Sequence, residues 1–203
     1  CTLGKLYGYS GNNSVSGYKA NTGGYIIMDK KVLWEKAVAF HGHVCPGLTI
    51  GYRAALYAID LLDLTFSDDE QVVCISENDA CGCDAIQVIL GCSIGKGNLL
   101  FHMTGKQAFS FYNRKTGKSV RLVLNKPIEE MTREQSFNYY HECKQEDMFT
   151  VKETKITLPE QARLFDSYVC ECCGETAGAN WIRLAQGKKL CIDCYSKYDR
   201  FNV

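Results

Sequence analysis

The chain has 203 residues, 46% hydrophobic and 11% aromatic, with 23 basic side chains against 23 acidic ones. That length supports one ordinary domain plus a small appendage. The zero net charge excludes a protein whose main business is coating nucleic acid or an anionic membrane, since both need many uncompensated Lys and Arg. No run approaches the roughly 18 apolar residues of a membrane-spanning helix, and no basic stretch leads into an apolar one at the start. The expectation is a soluble, cytoplasmic protein.

Residues 1–27 hold six Gly, three Ser and three Asn, no acidic residue and no apolar periodicity. They read as a flexible tail or an appended extension. From Lys30 to Phe40 the apolar positions Val32, Leu33, Trp34, Ala37, Val38 and Phe40 fit a helical face. His41 to Cys45 reads as a loop, and Pro46 occupies the first-turn position of a long helix patterned from Leu48 to Leu64. Gln71–Ser76 is a β-branched run read as a buried strand; a loop, Glu77–Cys83, leads to a helix, Asp84–Leu90, that Asp84 could cap. Asn98–Met103, Ala108–Asn113 and Ser119–Leu124 read as strands, the last two joined by the turn residues Arg114–Gly117, which suggests an antiparallel meander. Arg133–Cys143 reads as a helix, Phe149–Thr157 as extended and Pro159–Phe165 as a short helical connector. Helices first and strands after give an α+β class, with a core domain over 28–157 and a connector and small finger over 158–203.

Twelve cysteines are unusually many. In a reducing cytosol they point to metal binding or thiol chemistry rather than disulfides. Cys170 and Cys173 form one Cys-x-x-Cys, Cys191 and Cys194 another, and two such knuckles complete the tetrahedral four-sulfur shell that zinc prefers. Four thiolates leave no open position, so this zinc is structural, stapling a module too small to fold on its own apolar burial. Cys172 is read as a spare thiol. From Val151 to Val203 there are eight basic and seven acidic residues, which is no phosphate-binding patch, so nucleic acid is not an expected partner.

A second constellation is His41-Gly-His43-Val-Cys45-Pro46. In extended backbone, residues 41, 43 and 45 point to one side, giving a half-site for a transition metal or a Cys/His reactive pair. The plainer alternative is two hydrogen-bonded histidines and a buried thiol. Cys45 also precedes a helix, whose dipole and free N–H groups favour an anionic sulfur there. Further cysteines lie at Cys81, Cys83 and Cys92, the last within Gly91-Cys-Ser-Ile-Gly-Lys96-Gly-Asn98. That loop lacks the spacing and hydroxyl of a phosphate-binding P-loop, although a backbone nest with Lys96 could hold an anionic group.

Three motifs in order, His-x-His-x-Cys-Pro-Gly-Leu with Gly51 and Arg53, then Cys81-x-x-Asp84-Ala-x-Gln87, then Gly91-Cys-Ser-x-Gly-Lys-Gly-Asn98-Leu99, resemble the FmdE family of formylmethanofuran dehydrogenase proteins over roughly Lys31–Thr154. The resemblance implies an α+β core, dimerisation, an appended treble-clef type finger matching Cys170–Cys194, and association with a molybdenum or tungsten formylmethanofuran dehydrogenase in methanogenesis. Ser93 stands where Thr is expected, and the extra Cys83 leaves the choice of thiol open.

Three functions follow as expectations. In the first, the chain is a metal-binding accessory or subunit of a one-carbon redox enzyme, in which His41, His43, Cys45, Cys81 and Cys92 hold a second metal or a small ligand, with Lys96 and Asn98 as candidate cofactor contacts. In the second it is a thiol enzyme with Cys45 as nucleophile, His43 as base and Asp84 as orienting carboxylate. In the third, the finger is a protein-docking module. The expected assemblies are a homodimer and a larger redox complex, without a membrane.

Overall fold

The computed structural model describes residues 18–20, 26–125, 130–198 and 200, and divides the chain into two compact units at Gln161/Ala162. Much of the segment read as a tail lies outside the described residues. Within it, however, β1 (Tyr18–Ala20) pairs antiparallel with β2 (Ile26–Met28), Tyr18 opposite Met28. The β-branched pair Ile26 and Ile27 outweighs the glycine-rich composition at this point.

In the first unit α1 (Lys30–His41) starts at Asp29, whose Oδ1 accepts from the Lys31 and Val32 amides, and stops at Gly42, left-handed at φ 88°. The left-handed stop is what glycine supplies cheaply. α2 (Pro46–Leu62) is buried along most of its length, including Leu48, Ile50, Ala54, Ala55, Leu56, Ala58, Ile59 and Leu62. A helix apolar on nearly all sides must lie inside the domain.

β3 (Val72–Ser76), every residue buried, is followed by α3 (Gly82–Leu90) and β4 (Leu99–Phe101). β5 (Ala108–Asn113) and β6 (Ser119–Leu124) form a hairpin. α4 (Arg133–Glu142) opens with a capping box between Thr132 and Gln135, and the one-turn α5 (Gln145–Met148) leads into β7 (Phe149–Lys152). The sheet order is β4-β3-β5-β6-β7. The class is α+β. The sheet, read as an antiparallel meander, is mixed: β4 joins β3 in parallel, Cys74 opposite Leu99, because α3 carries the chain back to the starting end of the sheet.

The helices cover one face, where Leu48, Ile86, Ile89 and Leu90 pack with Phe109, Phe111, Leu122 and Phe149. On the other face Val73, Ile75 and Tyr112 are covered by Ile156 and Leu158, and the Tyr112 hydroxyl donates to the Ile156 carbonyl at 2.7 Å. Pro159–Phe165, read as a short helical connector, has no helix. Leu164 is fully exposed, so a one- or two-turn helix there would bury nothing to offset its nucleation.

The second unit is two hairpins. β8 (Ser167–Val169) pairs with β9 (Thr176–Gly178), and β10 (Ile182–Ala185) with β11 (Lys188–Cys191) through Gln186 and Gly187, both at positive φ. Two left-handed central residues match the twist of a tight hairpin. Among the described residues no helix is long and apolar enough to cross a membrane.

Candidate metal and thiol centres

In the second unit the sulfurs of Cys170, Cys173, Cys191 and Cys194 all lie within 4.8 Å of one another, Cys173 and Cys191 at 3.9 Å. Gly174, at φ 78°, turns the first knuckle. The Cys191 amide donates to Cys170 Sγ at 3.3 Å. Amides of Cys173, Cys191 and Cys172 pull the Cys170 thiol down to about 6, whereas hydrogen bonds with Cys191 and Cys173 push Cys194 far up. Four thiols this close cannot all ionise unless a cation sits among them. The donor set is the one that structural zinc takes.

In the first unit a different group gathers where α1 ends and α2 begins. One donor atom each from His41, His43 and Cys45 lies within 4.8 Å of the others. The grouping does not come from an extended strand. His41 is the last residue of α1, Gly42 reverses the chain in the left-handed region, and Cys45 is already the N-cap of α2, its sulfur accepting the Leu48 amide at 3.3 Å. The His41 and His43 rings sit 4.5 Å apart.

Asp84 is not the cap of α3; Cys81 occupies that place, and its side chain makes no cap bond. One turn into the helix, Asp84 instead accepts from His41 Nδ1 at 2.7 Å. That bond leaves Nε2 of His41 facing Cys45 Sγ at 3.7 Å. A carboxylate behind a histidine fixes tautomer and ring direction, which suits either a metal ligand or a base beside a thiol. The partner of both Asp84 and Cys45 is thus His41, where the residue pattern suggested His43.

Cys81 is the thiol that the α3 end brings to this group. Burial first, then the neighbouring Cys45 thiol, raises its pKa. A Cβ built on Gly47 would lie 3.6 Å from Cys81 Sγ and 3.9 Å from Cys45 Sγ. The two helix starts approach this closely because Gly51 meets Gly82: a Cβ on Gly51 would fall 2.0 Å from the Gly82 carbonyl oxygen. This contact went unread in the sequence, although a glycine in each of two neighbouring helices is its signal.

Three expected members lie elsewhere. Cys92 is fully buried with its thiol directed to the Val72 carbonyl at 3.6 Å, and burial pushes it up to about 12. The two ends of α3 point its flanking cysteines to different places. Asn98, also fully buried, donates to the carbonyls of Asp69, Val72 and Gly91 and accepts from the Ser93 amide, so its amide is spent on fastening the loop. Lys96 Nζ donates to the Ser67 carbonyl at 2.6 Å rather than into a nest. The ambiguity over Cys83 resolves as well: its thiol is buried against Ser76 and the Asn78 carbonyl.

The loop that delivers Cys81 is pinned from behind. Glu77 pairs with Arg121 at 2.5 and 2.9 Å and accepts from the Thr104 hydroxyl at 2.9 Å; both charged groups are buried. The hydrogen bond from Arg121 is the main reason the Glu77 carboxyl titrates below its usual range. Arg53, prominent in the motif, donates to the carbonyls of His141 and Cys143 and closes the end of α4.

A family model described as "FmdE, Molybdenum formylmethanofuran dehydrogenase operon" matches residues 40–164, and one described as "Prokaryotic dksA/traR C4-type zinc finger" matches residues 163–200. A protein of Archaeoglobus fulgidus called "Probable S-adenosyl-L-methionine-binding protein" is 28% identical over 197 residues, covering 80% of this chain and 52% of its own. The chain therefore spans about half the length of that curated relative. Among solved structures, a "tungsten formylmethanofuran dehydrogenase subunit e (fmde)-like protein" from Syntrophus aciditrophicus is similar at a TM-score of 0.61 and 26% identity, over 86% of this chain and 94% of that one.

Proposed function

This chain belongs to the FmdE family, and on that footing we propose that its core is a metal-binding accessory or subunit of a formylmethanofuran dehydrogenase-type one-carbon redox system. The coarser statement stands without the proposal: it is an FmdE-like protein with a four-cysteine zinc finger. In the core, His41, His43 and Cys45 would hold a transition metal, with Cys81 beside them. The observation that carries this is the convergence of two imidazoles and a thiol within 4.8 Å, one imidazole oriented by a carboxylate at 2.7 Å. Two nitrogens and a sulfur suit a borderline or soft transition ion, and fewer than four protein ligands leave a position where substrate or a partner's group could bind.

The likeness to the Syntrophus aciditrophicus protein supports the enzyme association. A homodimer, a larger redox complex and a cytoplasmic setting belong to the same proposal. A second reading, a thiol enzyme, is favoured by the Asp84–His41–Cys45 chain of contacts at 2.7 and 3.7 Å. Elemental mass spectrometry on protein purified without oxygen or chelator tests between them. The metal reading expects zinc plus a further metal near one equivalent, and the double variant His43→Ala/Cys45→Ala should lose only the second. Retention of both metals in that variant sinks it.

A further inference from the structure

The Cys45 and Cys81 sulfurs both flank Gly47, which is more than a metal site with three nearby donors requires. Cys81 is half-buried, whereas Cys45 is 6% exposed and backed by His41. Each sulfur stands at the start of a helix, and the Gly51–Gly82 contact holds the two helix starts together. Gly47 has no side chain to separate the sulfurs, and a Cβ there would meet both. We infer that Cys45 and Cys81 form a reversible redox pair, closing to a disulfide that removes Cys45 from the core site.

The oxidant is a small-molecule disulfide of the glutathione class. The half-buried Cys81 sulfur attacks one sulfur of the reagent, whose S–S bond breaks; the first glutathione leaves and takes up the Cys81 proton. Cys45 then attacks the mixed disulfide at Cys81 Sγ, passing its proton to His41 Nε2 and on to the second departing glutathione. Two electrons and two protons leave the dithiol, and two glutathione thiols and one protein disulfide result. Cys83 and Cys92 take no part, because their thiols are turned to Ser76, Asn78 and Val72. Competition between metal and disulfide rests on the metal reading above; the disulfide itself does not.

The test uses the full chain holding one equivalent of zinc for its finger, with and without added cobalt(II), incubated with oxidised glutathione. After alkylation, the chain is digested with trypsin and a glutamate-specific protease and sequenced by mass spectrometry without reduction. The expected product is a pair of peptides joined through Cys45 and Cys81, reversed by dithiothreitol, formed equally by Cys83→Ser. Cys45→Ser should instead stop at glutathione on Cys81; serine is a good N-cap, so α2 is kept. Cobalt at tenfold its dissociation constant should slow the cross-link about tenfold. Absence of the Cys45–Cys81 link in the cobalt-free chain overturns the inference. A link that forms at the same rate with cobalt present upholds the redox pair and overturns the metal reading.

Discussion

In the finger, four thiols converge from two knuckles on short hairpins that bury little else; in the core, one thiol and two imidazoles converge where helices meet on a packed sheet, with a carboxylate behind one ring. The finger depends on its metal for structure, because Trp181 and Leu184 remain largely exposed and supply little burial. The core site is held by Phe109, Phe111, Leu122, Ile86 and Leu90, all fully buried, whether or not a metal is bound. One set of soft donors therefore makes a fold, and the other is carried by a fold and is free to do chemistry. Breaking each in turn should give opposite results.

The largest effect is expected at the finger. Replacing Cys173 and Cys191 with serine should abolish zinc binding, and with it the order of 162–200, since structural zinc contributes about 10–16 kcal/mol to modules of this kind. Limited proteolysis should then cut within 162–198 while 30–125 stays protected. Joint loss of both units would show that the finger is not independent.

Next is the buried pair behind Cys81. Arg121→Met leaves Glu77 charged and unpaired, which should cost about 3–5 kcal/mol in a denaturant titration. The pH dependence has a definite sign. Arg121 lowers the folded-state pKa of Glu77, so the pair's contribution is full above the unfolded carboxylate value of about 4.3 and is lost as pH falls through the lower folded value. In the Arg121→Met chain that part of the acid sensitivity should vanish.

A smaller effect, about 2–3 kcal/mol, is expected for Gly51→Ala, whose new methyl must push the Gly82 backbone away. If the core site binds a metal as proposed, the variant should also weaken that binding by separating the starts of α2 and α3, with finger zinc unchanged. Gly174, by contrast, has open space where a Cβ would go and is constrained by φ alone. The two regions thus use glycine for different reasons.

That contrast bears on what the sequence made legible. Cys-x-x-Cys spacing is a local rule, so all four finger ligands could be read directly, as could the long α2, announced by Pro46 and its apolar run. The gathering of His41, His43 and Cys45 was legible too, but for another reason than alternation along a strand: a helix end, a left-handed glycine and an N-cap happen to bring the same three residues together. Long-range choices were not legible. Nothing local separates Cys81, which lies against Gly47 beside Cys45, from Cys92, which turns to Val72, because the decision is made by how α3 lies against α2 and β3. For the same reason Asn98 and Lys96 looked like ligand groups while serving carbonyls far away in sequence.

The smallest and most discriminating change is Asp84→Asn. Asparagine fills nearly the same volume but offers His41 no charge, so the fold and the finger should be untouched. If His41 is a metal ligand, loss of its carboxylate partner should weaken the second metal by about 10–100-fold, read by competition with a chromophoric chelator. If instead His41 serves only as the base beside Cys45, metal content is unchanged and the effect falls on the alkylation rate of Cys45 by iodoacetamide. A variant that alters neither would mean that the 2.7 Å contact merely anchors α1 to α3, and its cost should then appear as a lower unfolding midpoint. The three outcomes fall on three separate measurements, so this one atom-sized change decides whether the core site is a metal centre, a thiol centre or a packing contact.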